Sequence, residues 1–264
     1  MERKVVFKKI LKNLGRIEPN LPIIRGIHNR LLKPIFLKFF GDIEETVDVL
    51  GFKMKLNPRE CVDGNLYFAP HLYERKEIKL LQKNFPSDGT FVDIGAYKGF
   101  WSLYFGKIFP KAEIISIEGN PIVFRILKEN IEINGFNIKA FNLVLSDENR
   151  EVYFLIPDNY NLGGARIINK PQPKMEGEVI KIRTQKLSRV IQELKLKKID
   201  AMKIDIEGQE YEVLNEFFHN VSSNLFPLKI CVEYIHTPSV LNLLRRYNYN
   251  LISKTQCNAV FVRK

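Results

Sequence analysis

From residue 75 onward, stretches of helical period and stretches of strand period succeed one another, and this alternation restricts the possible folds more than any other feature. Residues 77–81 are patterned as a helix, 90–94 as a strand, 101–109 as a helix and 113–117 as a strand. Strands separated by a crossover helix pair in parallel, so the pattern predicts βαβ units and a parallel sheet covered by helices. Residues 121–134 form the best-marked helix, with Asn120 as N-cap, Pro121 in the first position and Gly135 just past the end. Strands are expected over 138–145, over 151–156 near an edge, and over 179–183, followed by a helix over 187–194. A core strand at 201–204, a helix at 210–218, a strand at 229–232 and a helix from the Thr237-Pro238 cap to Tyr247 continue the series. Residues 250–253 and 259–262 then read as a closing hairpin.

Two segments depart from this alternation. Residues 46–56 alternate around Gly51 as an earlier hairpin, which we assign to a domain spanning 45–264, preceded by a basic helical region over 1–44. Residues 157–177 hold Pro157, Gly163, Gly164, Pro171, Pro173 and Gly177, a connection of the length that serves as a lid or binding loop.

Composition excludes several classes. A chain of 264 residues, 45% hydrophobic and 27% charged, is neither disordered nor collagen-like. Cys61, Cys231 and Cys257 form no metal motif or disulfide framework, which points to a reducing, cytoplasmic setting. The most apolar run, 31–40, is broken by Lys33, Pro34 and Lys38, and 1–14 carries Lys8, Lys9 and Lys12 where a signal peptide would be apolar. The net charge of +11 is concentrated in residues 1–40, where ten basic side chains oppose Glu2 and Glu18 for a net of +8. Val6, Phe7, Ile10, Leu11 and Leu14 recur there at helical spacing. The stripe either packs as a capping helix or docks peripherally on an anionic membrane surface, through residues 1–40.

The sharpest chemical signal is Phe91-Val92-Asp93-Ile94-Gly95-Ala96-Tyr97-Lys98-Gly99 at a strand-to-helix junction. Gly95 permits a tight turn and Gly99 a close backbone approach, with free N–H groups at the helix start for a nucleotide-like ligand. Twenty-three positions after Gly95 the next strand ends in Glu118, placed to accept ribose hydroxyls, and a third strand ends in Ser146-Asp147, placed to meet an adenine amino group. Acids at successive strand ends suit a sulfonium ligand with an ammonium group and no phosphate. Phe100 and Trp101 read as core.

With these motifs in order, the chain resembles the FkbM-type S-adenosylmethionine-dependent methyltransferases over residues 45–262. The likeness rests on Tyr73-Glu74, Val92 to Ala96 with Gly99, Glu118-Gly119-Asn120-Pro121, Leu145-Ser146-Asp147, Gly163-Gly164-Ala165, Lys203-Ile204-Asp205-Ile206-Glu207-Gly208 and Val232-Glu233. It implies an α/β, Rossmann-like class I methyltransferase fold, a seven-stranded, mostly parallel sheet with a reversed last strand. It also implies O-methylation, often of sugars or polyketide hydroxyls. Tyr97 and Lys98 stand where the family has a small polar and an aliphatic residue, Gly119 where Pro is common, and Ser188 where Asp is often found.

The expected cofactor-binding residues are Asp93, Gly95, Ala96, Tyr97, Gly99, Glu118, Gly119, Asn120, Ser146, Asp147 and Asp205. Asp205, Glu207, Glu233 and His236 are candidates for removing an acceptor proton, and Glu74, Gly164 and Arg166 for contacting the acceptor. Those four candidates could also collect a divalent cation, but the set is not diagnostic and no metal is assigned. The acceptor is expected to be a small molecule or glycan, with no nucleic acid. A nicotinamide-dependent oxidoreductase is disfavoured by the missing G-x-G-x-x-G, and a non-enzymatic module using the basic N-terminus for membrane or nucleic acid is the remaining alternative.

Overall fold

The computed structural model describes residues 2–17, 26, 28–158 and 160–264, so Glu18 and Arg25, two of the charges counted above, lie outside the described residues. The chain divides into two compact units, Met1–Arg75 and Lys76–Lys264.

In the first unit α1 (Glu2–Arg16), a π-helical turn (His28–Leu32) and α2 (Lys33–Phe40) precede the hairpin of β1 (Glu45–Val49) and β2 (Phe52–Leu56), followed by α3 (Cys61–Phe68). The hairpin pairs antiparallel in the expected register, Val49 opposite Phe52. It groups with the N-terminal helices, whereas the sequence reading drew the boundary ahead of it, between residues 44 and 45. Its apolar face, Val47, Val49, Met54 and Leu56, is buried, as are Phe36, Tyr67 and Phe68, whose rings meet edge to face 4.9–5.6 Å apart.

α1 is amphipathic, and its apolar stripe is divided: Leu11 is buried and Phe7 meets Phe39 edge to face at 5.2 Å, while the rest of the stripe is exposed. Leu11 and Gly15 are buried, and a Cβ on Gly15 would meet the Phe68 carbonyl oxygen at 2.6 Å. Lys8 pairs with Glu45, Lys12 stands over the Tyr67 ring at 5.3 Å, and Arg16 lies 3.7 Å from Asp48. Val6, Ile10 and Leu14 are left 57%, 49% and 46% exposed.

The second unit opens with α4 (Arg75–Gln82), then β3 (Thr90–Ile94), α5 (Phe100–Ile108), β4 (Glu113–Glu118), α6 (Pro121–Asn134) and β5 (Ile138–Asn142). It continues through β6 (Glu151–Ile156), β7 (Arg166–Ile168), β8 (Glu178–Arg183), α7 (Leu187–Glu193), β9 (Ala201–Ile204) and α8 (Glu210–Asn220). β10 (Lys229–Glu233), α9 (Val240–Arg246), β11 (Tyr249–Lys254) and β12 (Asn258–Arg263) complete it. The main sheet has seven strands in the order β11-β12-β10-β9-β3-β4-β5. β10, β9, β3, β4 and β5 are parallel, and β12 alone runs against them, inserted between β10 and β11. This is the mostly parallel sheet with a reversed last strand that the sequence predicts.

One face of the sheet buries Ile94, Ile204 and Val232 with Leu214 and Phe217 of α8 and Leu243 of α9. Phe91 stacks on Phe105 at 4.0 Å, and Phe100 and Trp101 are buried as core. The chain runs from β3 outward through β4 and β5, then returns to place β9 on the other flank of β3. That reversal puts the topological switch point between β3 and β9, the place in an open α/β sheet at whose carboxyl ends ligands bind.

Three expectations change. The strand from 138 ends at Asn142, and Leu145 makes only an isolated parallel bridge to Gln185. β6 is not near the edge of the main sheet but central in a separate antiparallel sheet, β7-β6-β8, because alternation records a half-buried strand without recording its partner. The helix expected from Thr237-Pro238 starts at Val240 with Ser239 as its N-cap, and the Thr237 hydroxyl donates to Glu210 at 2.5 Å.

Candidate active site

The turn after β3 is built from left-handed backbone. Gly95 has φ 71° and Gly99 φ 95°, and Tyr97 between them is held at φ 52°, a conformation non-glycine residues adopt mainly where surrounding structure enforces it. The N–H groups of Gly95 and Ala96 both donate to the Ile117 carbonyl, at 2.9 and 3.0 Å, locking the turn to β4. A Cβ on Gly95 would lie 1.7 Å from the Asp205 carbonyl oxygen, so the β3 and β9 tips approach at a distance only glycine allows. Lys98 is fully buried, its ammonium 5.4 Å from the Tyr97 ring.

Glu118 closes the β4 tip. Its carboxylate accepts the backbone N–H of Tyr97 at 2.8 Å and of Asn120 at 2.7 Å. Burial outweighs these bonds and pushes its carboxyl up to about 7. Each oxygen keeps a lone pair, so the group remains able to accept hydroxyls from a ligand. Asn120 caps α6, accepting from Ile122 N at 3.0 Å and Val123 N at 3.4 Å, and Gly119 is packed against Val144.

Asp93 lies beneath the turn and is fully buried. One carboxylate oxygen accepts from the Ser102 hydroxyl at 2.6 Å and its N–H at 3.2 Å, tying α5 to β3, and the other is buried without a hydrogen-bond partner. Burial raises its pKa in spite of Lys203. Lys203 pairs directly beside Asp93 across the β3–β9 ladder, 3.1 Å from Asp205 and 3.3 Å from the Gly95 carbonyl. It is the cation common to Asp93, Glu118, Asp205 and Glu233. Sequence reading quoted Lys203 as part of a motif but gave it no role. The available signal was a lysine inside an otherwise apolar core strand.

The β9 and β10 tips bring the proton-transfer candidates together. Glu207, at φ 52°, lies 3.2 Å from the exposed His236 imidazole. Glu233 is buried with one carboxylate oxygen lacking a partner, and burial together with Asp205 and Glu207 pushes its carboxyl up to about 9. Burial and Asp205 also raise Glu207. A second missed residue organises this turn: fully buried Glu210 accepts from the N–H of Ile206 at 2.9 Å, from that of Gly208 at 3.1 Å and from the Thr237 hydroxyl. At sequence level it was only the first residue of a helix.

The 157–177 connection contains a 3-10 turn (Leu162–Gly164) and β7, so it is partly ordered sheet. It reaches the cofactor-side turns: the Asn120 side chain donates to the Leu162 carbonyl at 3.1 Å, and Gly163 sits against the Tyr97 ring. Arg166 donates to the Gly164 carbonyl at 3.1 Å, and its charge acts on Glu207. Asp147 accepts from Ser146 at 2.9 Å, lies 3.8 Å from Arg150, and borders an open cleft along α8 with Tyr211 and His219. Glu74, at φ 43°, belongs to the first unit.

A seven-stranded sheet with one reversed strand, a glycine turn at its first parallel strand and a carboxylate at the next strand tip define a class I methyltransferase domain. The sequence profile of the methyltransferase FkbM domain matches residues 93–251, more than half of the chain, and the chain belongs to this S-adenosylmethionine-dependent family. It is 29% identical to methyltransferase sdnD of Sordaria araneosa, over 50% of this chain and 61% of that protein. It is 26% identical to the AMB antimetabolite synthetase AmbE of Pseudomonas aeruginosa, over 61% of this chain and 9% of that protein. The chain thus spans less than two thirds of either relative. A tRNA (uracil-54, C5)-methyltransferase of Pyrococcus abyssi, solved with S-adenosyl-L-homocysteine, aligns with TM-score 0.49 at 8% identity, over 84% of this chain and 44% of that one.

Proposed function

We propose that the chain methylates a hydroxyl oxygen on a sugar, glycan or other small hydroxylated acceptor in the cytoplasm. The observation carrying this is the Glu207–His236 pair, 3.2 Å apart beside buried Glu233 at the carboxyl edge of the sheet. The residues fit a cationic cofactor without phosphate, because a buried carboxylate oxygen of Asp93 lacks a partner and the flanking tips carry Glu118 and Asp205. The Gly95–Tyr97 turn and Glu118 would hold the ribose, Asp205 the amino-acid end, and Ser146 and Asp147 the adenine.

S-adenosylmethionine, when bound, supplies a methyl group on a sulfonium. The protein's task is to hold the acceptor in line and take its proton. In this reading the Glu207–His236–Glu233 cluster would take the O–H proton of the acceptor as its oxygen receives the methyl group that the sulfonium would supply. Arg166 and Gly164 border the acceptor. The acid-rich tips disfavour a nucleic-acid acceptor, whose phosphates they would repel. Incubation with methyl-labelled S-adenosylmethionine and a panel of hydroxylated acceptors tests the reading. Label transfer that His236→Ala and Glu207→Gln abolish while S-adenosylhomocysteine still binds supports it, and transfer to nitrogen or to RNA alone overturns it.

We also propose that the first unit rests on an anionic lipid surface, because α1 turns Val6, Ile10 and Leu14 to solvent beside exposed Lys4 and Lys9. Each lysine at such a surface contributes about 1 kcal/mol. Among the described residues no helix is long and apolar enough to cross a membrane. Co-sedimentation with phosphatidylglycerol vesicles, lost for Val6→Ser/Ile10→Ser/Leu14→Ser, is expected. Equal recovery of both forms, or a dimer that only the unsubstituted chain forms, would rule it out.

A further inference from the structure

The cluster at the β9 and β10 tips contains a carboxylate oxygen that nothing satisfies. Glu233 is 9% exposed, and its Oε2 is buried with no hydrogen-bond partner. Leaving such an atom bare costs about 1–3 kcal/mol, more when it is charged, so native structures retain one mainly where a ligand completes it.

The neighbouring groups show which ligand is missing. Glu207, Glu233 and His236 each offer one atom, and these atoms all lie within 4.8 Å of one another. The Glu207–His236 pair is already 3.2 Å apart, the separation of two ligands each about 2.1 Å from a shared ion. Asp205, Glu210 and Glu233 form a second group within the same spacing, but its other members are engaged. Asp205 is paired with Lys203, and Glu210 is taken up by two backbone N–H groups and a hydroxyl. Among the described residues, free coordination capacity therefore converges on the first trio.

From this geometry we propose that Glu207, Glu233 and His236 hold one divalent cation. One imidazole nitrogen with two carboxylate oxygens suits manganese or zinc, and the three-residue set leaves positions for acceptor hydroxyls. The inference rests on the proposed hydroxyl methylation and changes the part the trio plays in it: with the cation bound, the three side chains serve as ligands, and the acceptor oxygen on the cation loses its proton to solvent instead of to them. The binding site itself stands without that reading. Exposed His236 puts the trio within reach of an ion from solvent.

Titration of the full chain with manganese(II), followed by the electron paramagnetic resonance of the free ion, tests the site without any methyl acceptor. One bound ion per chain is expected, with affinity falling at least ~10-fold in Glu233→Gln and in His236→Ala. Glu193→Gln, at an exposed α7 carboxylate paired with Arg189, should bind the ion as the unsubstituted protein does. Melting curves and S-adenosylhomocysteine binding confirm that each variant is folded. Absence of binding, binding indifferent to both ligand substitutions, or displacement of the ion by S-adenosylhomocysteine would overturn the site. Methyl transfer without ion binding would leave the proposed reaction standing and remove only the cation.

Discussion

The Glu118 carboxylate accepts the backbone N–H of Tyr97 at 2.8 Å, so the tip of β4 fixes the positive-φ residue at the centre of the glycine turn. A single buried side chain thereby shapes the turn and borders the proposed ligand site, and its ionisation couples the two.

Burial places the Glu118 carboxyl near 7, above its ordinary value of 4.5. The folded protein therefore holds the proton more tightly than the unfolded chain. This contribution to stability is complete below about pH 4.5 and is lost as pH rises to about 7, with a slope of at most ~1.4 kcal/mol per pH unit. Hydroxyl donors favour the ionised form, so S-adenosylhomocysteine affinity should instead rise with pH up to about 7 and then level. Calorimetric titration between pH 5.5 and pH 8 checks this, and Glu118→Gln should flatten the profile while weakening binding at every pH, about 10-fold at neutrality.

Gly95→Ala should destabilise the second unit by about 3 kcal/mol or more, because the added methyl meets the Asp205 carbonyl in a left-handed backbone that disfavours any side chain. Urea denaturation reads the loss. A variant as stable as the unsubstituted protein would mean that β3 and β9 do not approach as described.

Lys203→Met removes the cation facing Asp93, Glu118, Asp205 and Glu233. Leaving buried acids uncompensated costs about 3 kcal/mol. The loss should grow above pH 7, where these groups are forced to ionise, and shrink in acid, which thermal melts across pH will show.

Gly15→Val has no room between α1 and α3, since even a Cβ would meet the Phe68 carbonyl at 2.6 Å. α1 should detach, seen as faster proteolysis within residues 4–16 and loss of vesicle binding, while S-adenosylhomocysteine affinity stays within about twofold.

The sequence by itself determined the order of elements, the parallel sheet with its reversed strand, the glycine turn and the carboxylates at the tips of β4, β9 and β10. These are written in local periodicity, caps and glycines, which act over a few residues. Only the tertiary structure decided that β6 centres a second sheet, that the Thr237 hydroxyl bonds Glu210, and that α1 buries Leu11 while turning Val6, Ile10 and Leu14 outward. It likewise decided the parts of Lys203 and Glu210 and brought Glu207, His236 and Glu233 to one point. Those outcomes depend on which surfaces meet across many residues, and a one-dimensional pattern carries the wish to pair or to be buried without naming the partner.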